Sequence, residues 1–288
     1  MQLVDGGMFA FSAWHALKGK VSWPLTFQVP RMLRRIMAES GDSWAVCWNG
    51  YHQWKREFWP AYRDRPEIWD EAGREDYEAM LDVLAALGVV QYRTEHLEAD
   101  EAIAALVHRL AGSEPIVIRS DDKDFMQLLS GSTWMDGRVR GEVRYSRVRE
   151  ILGVSPAFVA DFLALSGDVA DGIPRILSPA TAIKLLGSRG HVRGWIDRDL
   201  RVADGVRRRL VEGREQLRIN LELVDLSAAA VEARGAPGAP LLGGWGDWAA
   251  ARGIGDRSGI AWLAAPDPPA DFAIVREAGE RTRRRLGI

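Results

Sequence analysis

The stretch IVIRSDDKDF, Ile116–Phe125, joins a short apolar run to three aspartates, Asp121, Asp122 and Asp124. The run, preceded by Pro115, reads as a buried β-strand. Carboxylates crowded at its end repel one another, more strongly as water is excluded, so a compensating charge is required. In open α/β sheets the carboxyl ends of the strands are where ligands sit. Which other acids reach that edge therefore decides both fold and chemistry.

Three more runs share the strand character: QLV (Gln2–Val4), WAVCW (Trp44–Trp48) and VVQY (Val89–Tyr92). Helix-like segments lie between them, at Met8–Leu17, Phe27–Glu39, Arg74–Leu87 and Ala99–Leu110. Short apolar strands alternating with helices predict an α/β fold, a mainly parallel sheet flanked by helices. A β-rich excursion follows at Thr133–Met135 and Glu142–Tyr145, turning at Asp136-Gly137. Beyond Ser146 the pattern is helical: Arg147–Leu152, Pro156–Leu165, Pro179–Leu186 and a basic pair within Ala203–Leu226. The expected organisation is an α/β core over 1–150, a helical region over 151–227, and 228–288 as linker and small appendage. Ala228–Gly244, rich in Ala, Gly and Pro, is the expected linker.

Composition narrows the class. A single cysteine, Cys47, excludes an internal disulfide and a cysteine-based zinc site. No apolar run approaches the ~18 residues that span a bilayer, and no signal-peptide pattern opens the sequence, so a cytoplasmic setting and no membrane partner are expected. The formal net charge of −2 averages over uneven segments. Nine arginines between Arg189 and Arg218, Arg207 and Arg208 among them, face five acids, whereas acids gather at 98–101, 121–124 and 168–171. Either the arginines hold a polyanion while the acids bind cations, or these are solvated helix faces.

Eight carboxylates can converge on one edge: Asp5, Glu98, Asp100, Glu101, Asp122, Asp124, Asp168 and Asp171. Sharing one pocket demands divalent cations, and hard oxygen ligands select Mg²⁺ or Mn²⁺. Two such ions ~3.5–4 Å apart suit in-line phosphoryl displacement. Each acid also has a structural alternative. Glu98, Asp100 and Glu101 can complement a helix dipole. Asp121 and Asp122 can cap the following helix, Asp121 in any case. Asp168 and Asp171 can be turn residues before Gly172 and Pro174, and Asp5-Gly6 can be a tight turn.

In order and spacing these segments resemble the 5′-nuclease family: polymerase I 5′→3′ exonuclease domains, phage 5′-exonucleases and flap endonucleases. DGGMFAFSAWHAL, EADE, DDKDFMQLL and LSGDVADGIP are similar to its four acidic motifs, and the likeness runs from Met1 to about Leu226. The resemblance implies a nuclease acting on DNA with a free 5′ end, a flap or a nick, with RNA–DNA hybrid as a further candidate substrate. It implies a catalytic set of Asp5, Asp100, Asp122, Asp124 and Arg63. Asp5, Glu98 and Asp100 would serve mainly one metal. Asp122, Asp124 and Asp168 would serve the other, with Glu101 and Asp171 in support. WKREFWPAYRDR, Trp54–Arg65, resembles the base of the family's arch over the active site, placed here near 53–77. Lys55, Arg56, Arg63 and Arg65 would meet phosphates there, and Tyr62 or Trp59 would stack an unpaired base. Arg63 stands where the family has a lysine. The helical region would bind duplex DNA through Thr181, Lys184, Arg207 and Arg208.

The pattern departs from the family at several positions. Asn49 replaces an aspartate after the second strand; its amide oxygen can coordinate a metal or orient a water without adding charge. Ser12 stands where the family often has arginine, and Glu101 where it has aspartate. RILSPATAIKLLG lacks the glycines of a helix-hairpin-helix turn, so K⁺ is not expected and duplex grip is reduced. Arg65–Tyr77 is too brief for a long threading arch. The competing readings are a non-catalytic DNA-binding or replication accessory protein on a nuclease fold, and a PIN-like ribonuclease. The oligomeric state is not legible in the sequence.

Overall fold

The computed structural model describes the chain except residues 41, 51–53, 64–68, 95, 199, 236–241 and 244–245, and describes 242–243 by backbone alone. Arg65, expected at a phosphate, lies outside the described residues. Seven strands form one sheet among the described residues: β1 Gln2–Asp5, β2 Trp44–Trp48, β3 Val90–Arg93, β4 Ile116–Arg119, β5 Thr133–Gly137, β6 Gly141–Val143 and β7 Leu242–Gly243. Their order is β6-β5-β4-β1-β2-β3-β7. The five inner strands run parallel, and β6 and β7 pair antiparallel at the edges. The strand order reverses at β1, which lies between β4 and β2, and such a switch point opens a crevice at the strands' carboxyl ends.

Alternation along the strands builds two cores. Leu3, Ala45, Cys47, Tyr92, Ile116 and Ile118 point into one layer; Val4, Trp44, Val46 and Trp48 point into the other. Both faces are thus covered, as a parallel sheet requires. The second layer holds α1 Gly6–Leu17, α2 Pro24–Ser40, and, beyond the short α3 Trp54–Phe58, α4 Glu71–Ala86. The first layer holds α5 Ala99–Leu110. After α6 Tyr145–Leu152, the helices α7 Val159–Ser166, α8 Pro179–Arg189, α9 Asp204–Glu212 and α10 Arg214–Val224 continue that layer. Burying a Leu or Phe side chain contributes roughly 1.5–3 kcal/mol, so the buried leucines of α7 and α10 hold these two helices together and α7 against the turn Lys123–Leu128 that follows β4.

The segment expected to be a linker starts instead with a helix, α11 Ala228–Ala233, capped by Ser227 and seated on α5 through Val231. The tryptophan-bearing remainder folds as α12 Trp248–Ser258 and α13 Phe272–Leu286. Its Ala251, Leu263, Phe272 and Val275 join the second core. Thr282 of α13 accepts the backbone N–H of Trp44 at 2.8 Å. No described helix is long and apolar enough to cross a membrane.

Candidate functional site

Each acid owes its place to a strand end or a helix start. Asp5 closes β1; its Oδ1 accepts Met8 N–H at 3.3 Å, capping α1, and its Oδ2 accepts the Ser120 hydroxyl at 2.8 Å. Ser120 in turn accepts Asp122 N–H at 3.1 Å, so one hydroxyl ties the ends of β1 and β4 together. Asp122 accepts Asp124 N–H at 3.0 Å and caps a 3₁₀ turn, Lys123–Leu128. The cap expected of Asp121 therefore falls to Asp122, because Asp121 turns away to the loop between β5 and β6. Asp168 and Asp171 flank a tight loop closed by paired Asp168 and Ile173 backbones.

The predicted ligands do converge. Asp5, Asn49, Glu98, Asp100 and Asp122 line one cleft of about 830 Å³, together with Arg56 and Arg63. Asp124, Asp168 and Asp171 bring carboxylate oxygens within 4.8 Å of one another. Burial, then the neighbouring Asp122 and Asp100, push Asp5 up to about 6 despite the Ser120 hydrogen bond. Asp122 is raised by burial, with Asp171 and Asp100 adding to it. Asp124 is raised well above the carboxylate range by burial and then by Asp122. Its Oδ1 is buried and accepts no hydrogen bond among the described residues. These are the marks of a cation site: an acidic donor set, an orphaned buried oxygen and protons held against their ordinary tendency. The donors fit Mg²⁺ or Mn²⁺.

The remaining acids are answered by cations of the chain itself. Lys55, 1 % exposed, donates to Glu98 at 2.9 Å and to Asp100 at 3.0 Å. Burial would raise Asp100, but Lys55 and then Arg63 outweigh it and its pKa is lowered. The Arg63 guanidinium spans Asp171 at 2.5 Å and Glu98 at 3.2 Å, with its backbone at φ 45°, a left-handed conformation uncommon outside glycine. Tyr62 donates its hydroxyl to Glu98 at 2.9 Å. Glu101 accepts Trp54 Nε1 at 2.9 and 3.0 Å, Glu98 N–H at 3.0 Å and Arg234 at 3.0 Å. Burial still leads, and the Glu101 pKa is raised. Lys123 pairs with Asp168 and stands 3.6 Å from Asp124.

Several expectations are corrected by these contacts. Lys55 is no phosphate contact, because its ammonium is buried between two carboxylates. Tyr62, 2 % exposed, has no free face for a base. Glu101 is saturated by protein donors and is a structural node. The Asn49 amide oxygen accepts Ala99 N–H at 2.8 Å, which ties it to the start of α5 and leaves one lone pair toward the cleft it lines. Arg56 is exposed and lines the cleft, donating to the Arg63 carbonyl at 3.0 Å. Thr181 shares a 2.8 Å hydrogen bond with Ser178 at the start of α8. Lys184, Arg207 and Arg208 are exposed on the helical region, apart from the cleft. Sequence reading missed Ser120, Lys123 and Arg234. Lys123 sits inside the quoted stretch, but nothing local marks Ser120 or Arg234.

The Ala61–Arg63 segment is fastened to the Asp168–Asp171 loop. Arg63 N–H donates to the Asp171 carbonyl at 3.0 Å, and Gly172, at φ +69°, approaches so closely that a Cβ there would lie 2.4 Å from the Ala61 carbonyl oxygen. Only glycine permits that approach.

A family model described as 5′-3′ exonuclease, N-terminal resolvase-like domain, matches residues 1–153. The chain belongs to the 5′-nuclease family. Within that family, DNA polymerase I of Pseudomonas aeruginosa is 30 % identical over 249 residues, covering 78 % of this chain and 27 % of the polymerase. The chain thus spans about a quarter of the length of such relatives. A flap endonuclease of Edwardsiella ictaluri is 27 % identical over 213 residues, covering 71 % of this chain and 83 % of that enzyme. In structure, the chain is similar to the bacteriophage T5 flap endonuclease, solved as a pseudo-enzyme-product complex with DNA and metal ions. The TM-score is 0.65 at 19 % identity, over 97 % of this chain and 98 % of that one.

Proposed function

We propose that this 5′-nuclease-family chain hydrolyses DNA phosphodiesters at free 5′ ends, flaps or nicks, with two Mg²⁺ or Mn²⁺ ions. The observation that carries the reading is the crowding of Asp124, Asp168 and Asp171 oxygens within 4.8 Å, beside a cleft edged by Asp5, Asp100 and Asp122. Asp5, Asp100, Asp122, Asp124, Asp168 and Asp171 would hold the metals. When bound, the metals supply charge neutralisation and a more acidic water. Ser120 keeps Asp5 and Asp122 in mutual register. Lys55 holds Asp100 ionised, since its ion pair outweighs burial. Arg63 is held at the cleft through Glu98 and Asp171, while its Nη2 takes no part in either pair and remains available to a phosphate. Exposed Arg56 extends the positive rim. Lys184, Arg207 and Arg208 lie on a surface suited to duplex phosphates.

A non-catalytic DNA-binding reading is favoured by one observation, the commitment of Asn49 to Ala99. Purified protein incubated with 5′-flap DNA separates the two. Cleavage with Mg²⁺ that stops with EDTA and falls on the order of 10³-fold in Asp124→Ala is expected of the nuclease. Calorimetric Mn²⁺ binding lost in the same variant is the independent readout. Binding of flap DNA with no metal-dependent cleavage would leave the non-catalytic reading. RNA–DNA hybrid and single-stranded RNA in parallel tubes rank the substrates.

A further inference from the structure

The hairpin of β5 and β6 brings an arginine to the rim of the same cleft. Gly137 and Gly141 close it, and Gly141, at φ +63°, is the left-handed residue that follows a three-residue loop. The loop is Arg138, Val139 and Arg140, and all three backbone N–H groups donate to Asp121, at 3.1, 3.0 and 3.3 Å. The Arg140 side chain adds a bond to the Asp121 carbonyl. A Cβ at Gly137 would lie 2.2 Å from Asp121 Oδ1, so the hairpin reaches this carboxylate only with glycine there. Asp121 adjoins Asp122, and the hairpin tip is therefore referenced to the strand end that carries the acidic cluster.

From that fixed point Arg138 Nη1 donates to Ser12 Oγ at 2.7 Å. Ser12 lines the cleft beside Asp5, Met8 and Phe11. Arg138 is exposed, and among the described residues no carboxylate pairs with it. Lys55, Arg63 and Lys123 all spend their charge on acids of the site. Arg138 spends one N–H on a neutral hydroxyl, and the remainder of its planar fork keeps its full charge and donor capacity. A guanidinium held by a clamped backbone at the mouth of an acidic cleft matches the need of a polyanionic strand, whose phosphates the acids would otherwise repel.

We propose that Arg138 is a substrate-positioning residue that binds a backbone phosphate of the nucleic-acid strand entering the cleft along α1, with Asp121 as the support that aims it. The inference rests on the nuclease reading for the nature of its ligand. It is tested by the affinity of a fluorescent 5′-flap DNA at several salt concentrations, in an Asp124→Asn background with Mg²⁺ so that the strand is not consumed. Steady-state cleavage is measured in the otherwise native protein. Arg138→Ala weakens binding roughly tenfold and lowers the salt slope by about 1. In turnover it raises KM with kcat held within about twofold, whereas Arg138→Lys recovers only part of the affinity. The double variant Ser12→Arg, Arg138→Ala regains most of the lost affinity, because its guanidinium now starts where Arg138 ends. Unchanged affinity and slope in Arg138→Ala, or a double variant as weak as Arg138→Ala, overturns the proposal. If the native protein cleaves and Arg138→Ala matches it throughout, the inference falls while the nuclease reading stands. If binding depends on Arg138 and no cleavage occurs, the nuclease reading falls and the positioning role stands.

Discussion

The carboxylates that α5 and the Asp168–Asp171 loop bring to the cleft meet cations built into the chain. Those at the ends of β1 and β4 mostly meet one another. In the first group, Lys55 and Arg63 answer Glu98, Asp100 and Asp171. In the second, Asp5, Asp122 and Asp124 are all raised, with Lys123 at 3.6 Å from Asp124 the nearby counter-charge. The difference separates two jobs that one acidic motif can do. Acids paired within the chain, Asp100, Asp168 and Asp171 among them, reach the cleft already partly neutralised; those at the strand ends carry most of the uncompensated charge. Removing a partner from the first group should therefore cost stability, whereas removing an acid from the second should relieve it.

The largest effect expected is at the paired end. Lys55→Met leaves Glu98 and Asp100 buried without their ammonium, and breaking such a pair costs about 3–5 kcal/mol. Denaturant melts in EDTA read it, and a loss below about 1 kcal/mol would mean that the two groups do not differ as described. At the other end, Asp124→Asn should raise the melting temperature in EDTA by roughly 2 °C, about 1 kcal/mol in a chain this long. The gain is modest because Lys123, 3.6 Å away, already offsets part of the repulsion. A fall in melting temperature would contradict the charge deficit. The third test is the pH dependence. Burial pushes the Asp5 carboxyl from its ordinary 3.8 up to about 6, so the folded state binds more protons in that window. Its contribution to stability is complete below pH ~4 and is lost as pH rises through about 6. Melts in EDTA should show this slope, which saturating Mg²⁺ should flatten by binding the ionised form.

Much of this was legible in the sequence because its cause is local. Strands β1 to β4 announce themselves as apolar runs, and acids follow β1 and β4 at once, so the switch-point geometry needed no distant information. Asn49 could be located, but its use could not: the Ala99 N–H that takes its oxygen is 50 residues away. Lys55 misled for the same reason. A basic residue in an aromatic loop looks like a phosphate contact until the fold swings it 43 residues forward onto Glu98. Arg234, 133 residues from Glu101, sits at the edge of a segment whose composition suggests only a linker. Side-chain direction and long-range pairing depend on how helices pack, and no periodicity within either partner's own segment encodes them.

The hydrogen bond from the Trp44 backbone to Thr282 bears on where the chain can be cut. Residues 1–153 contain the whole family match, yet they leave that amide without its acceptor and strip one core of Phe272 and Val275 and the other of the buried leucines of α7 and α10. The segment the family model recognises is therefore not a minimal domain: part of its hydrophobic core is supplied by sequence that carries none of its signature acids beyond Asp168 and Asp171.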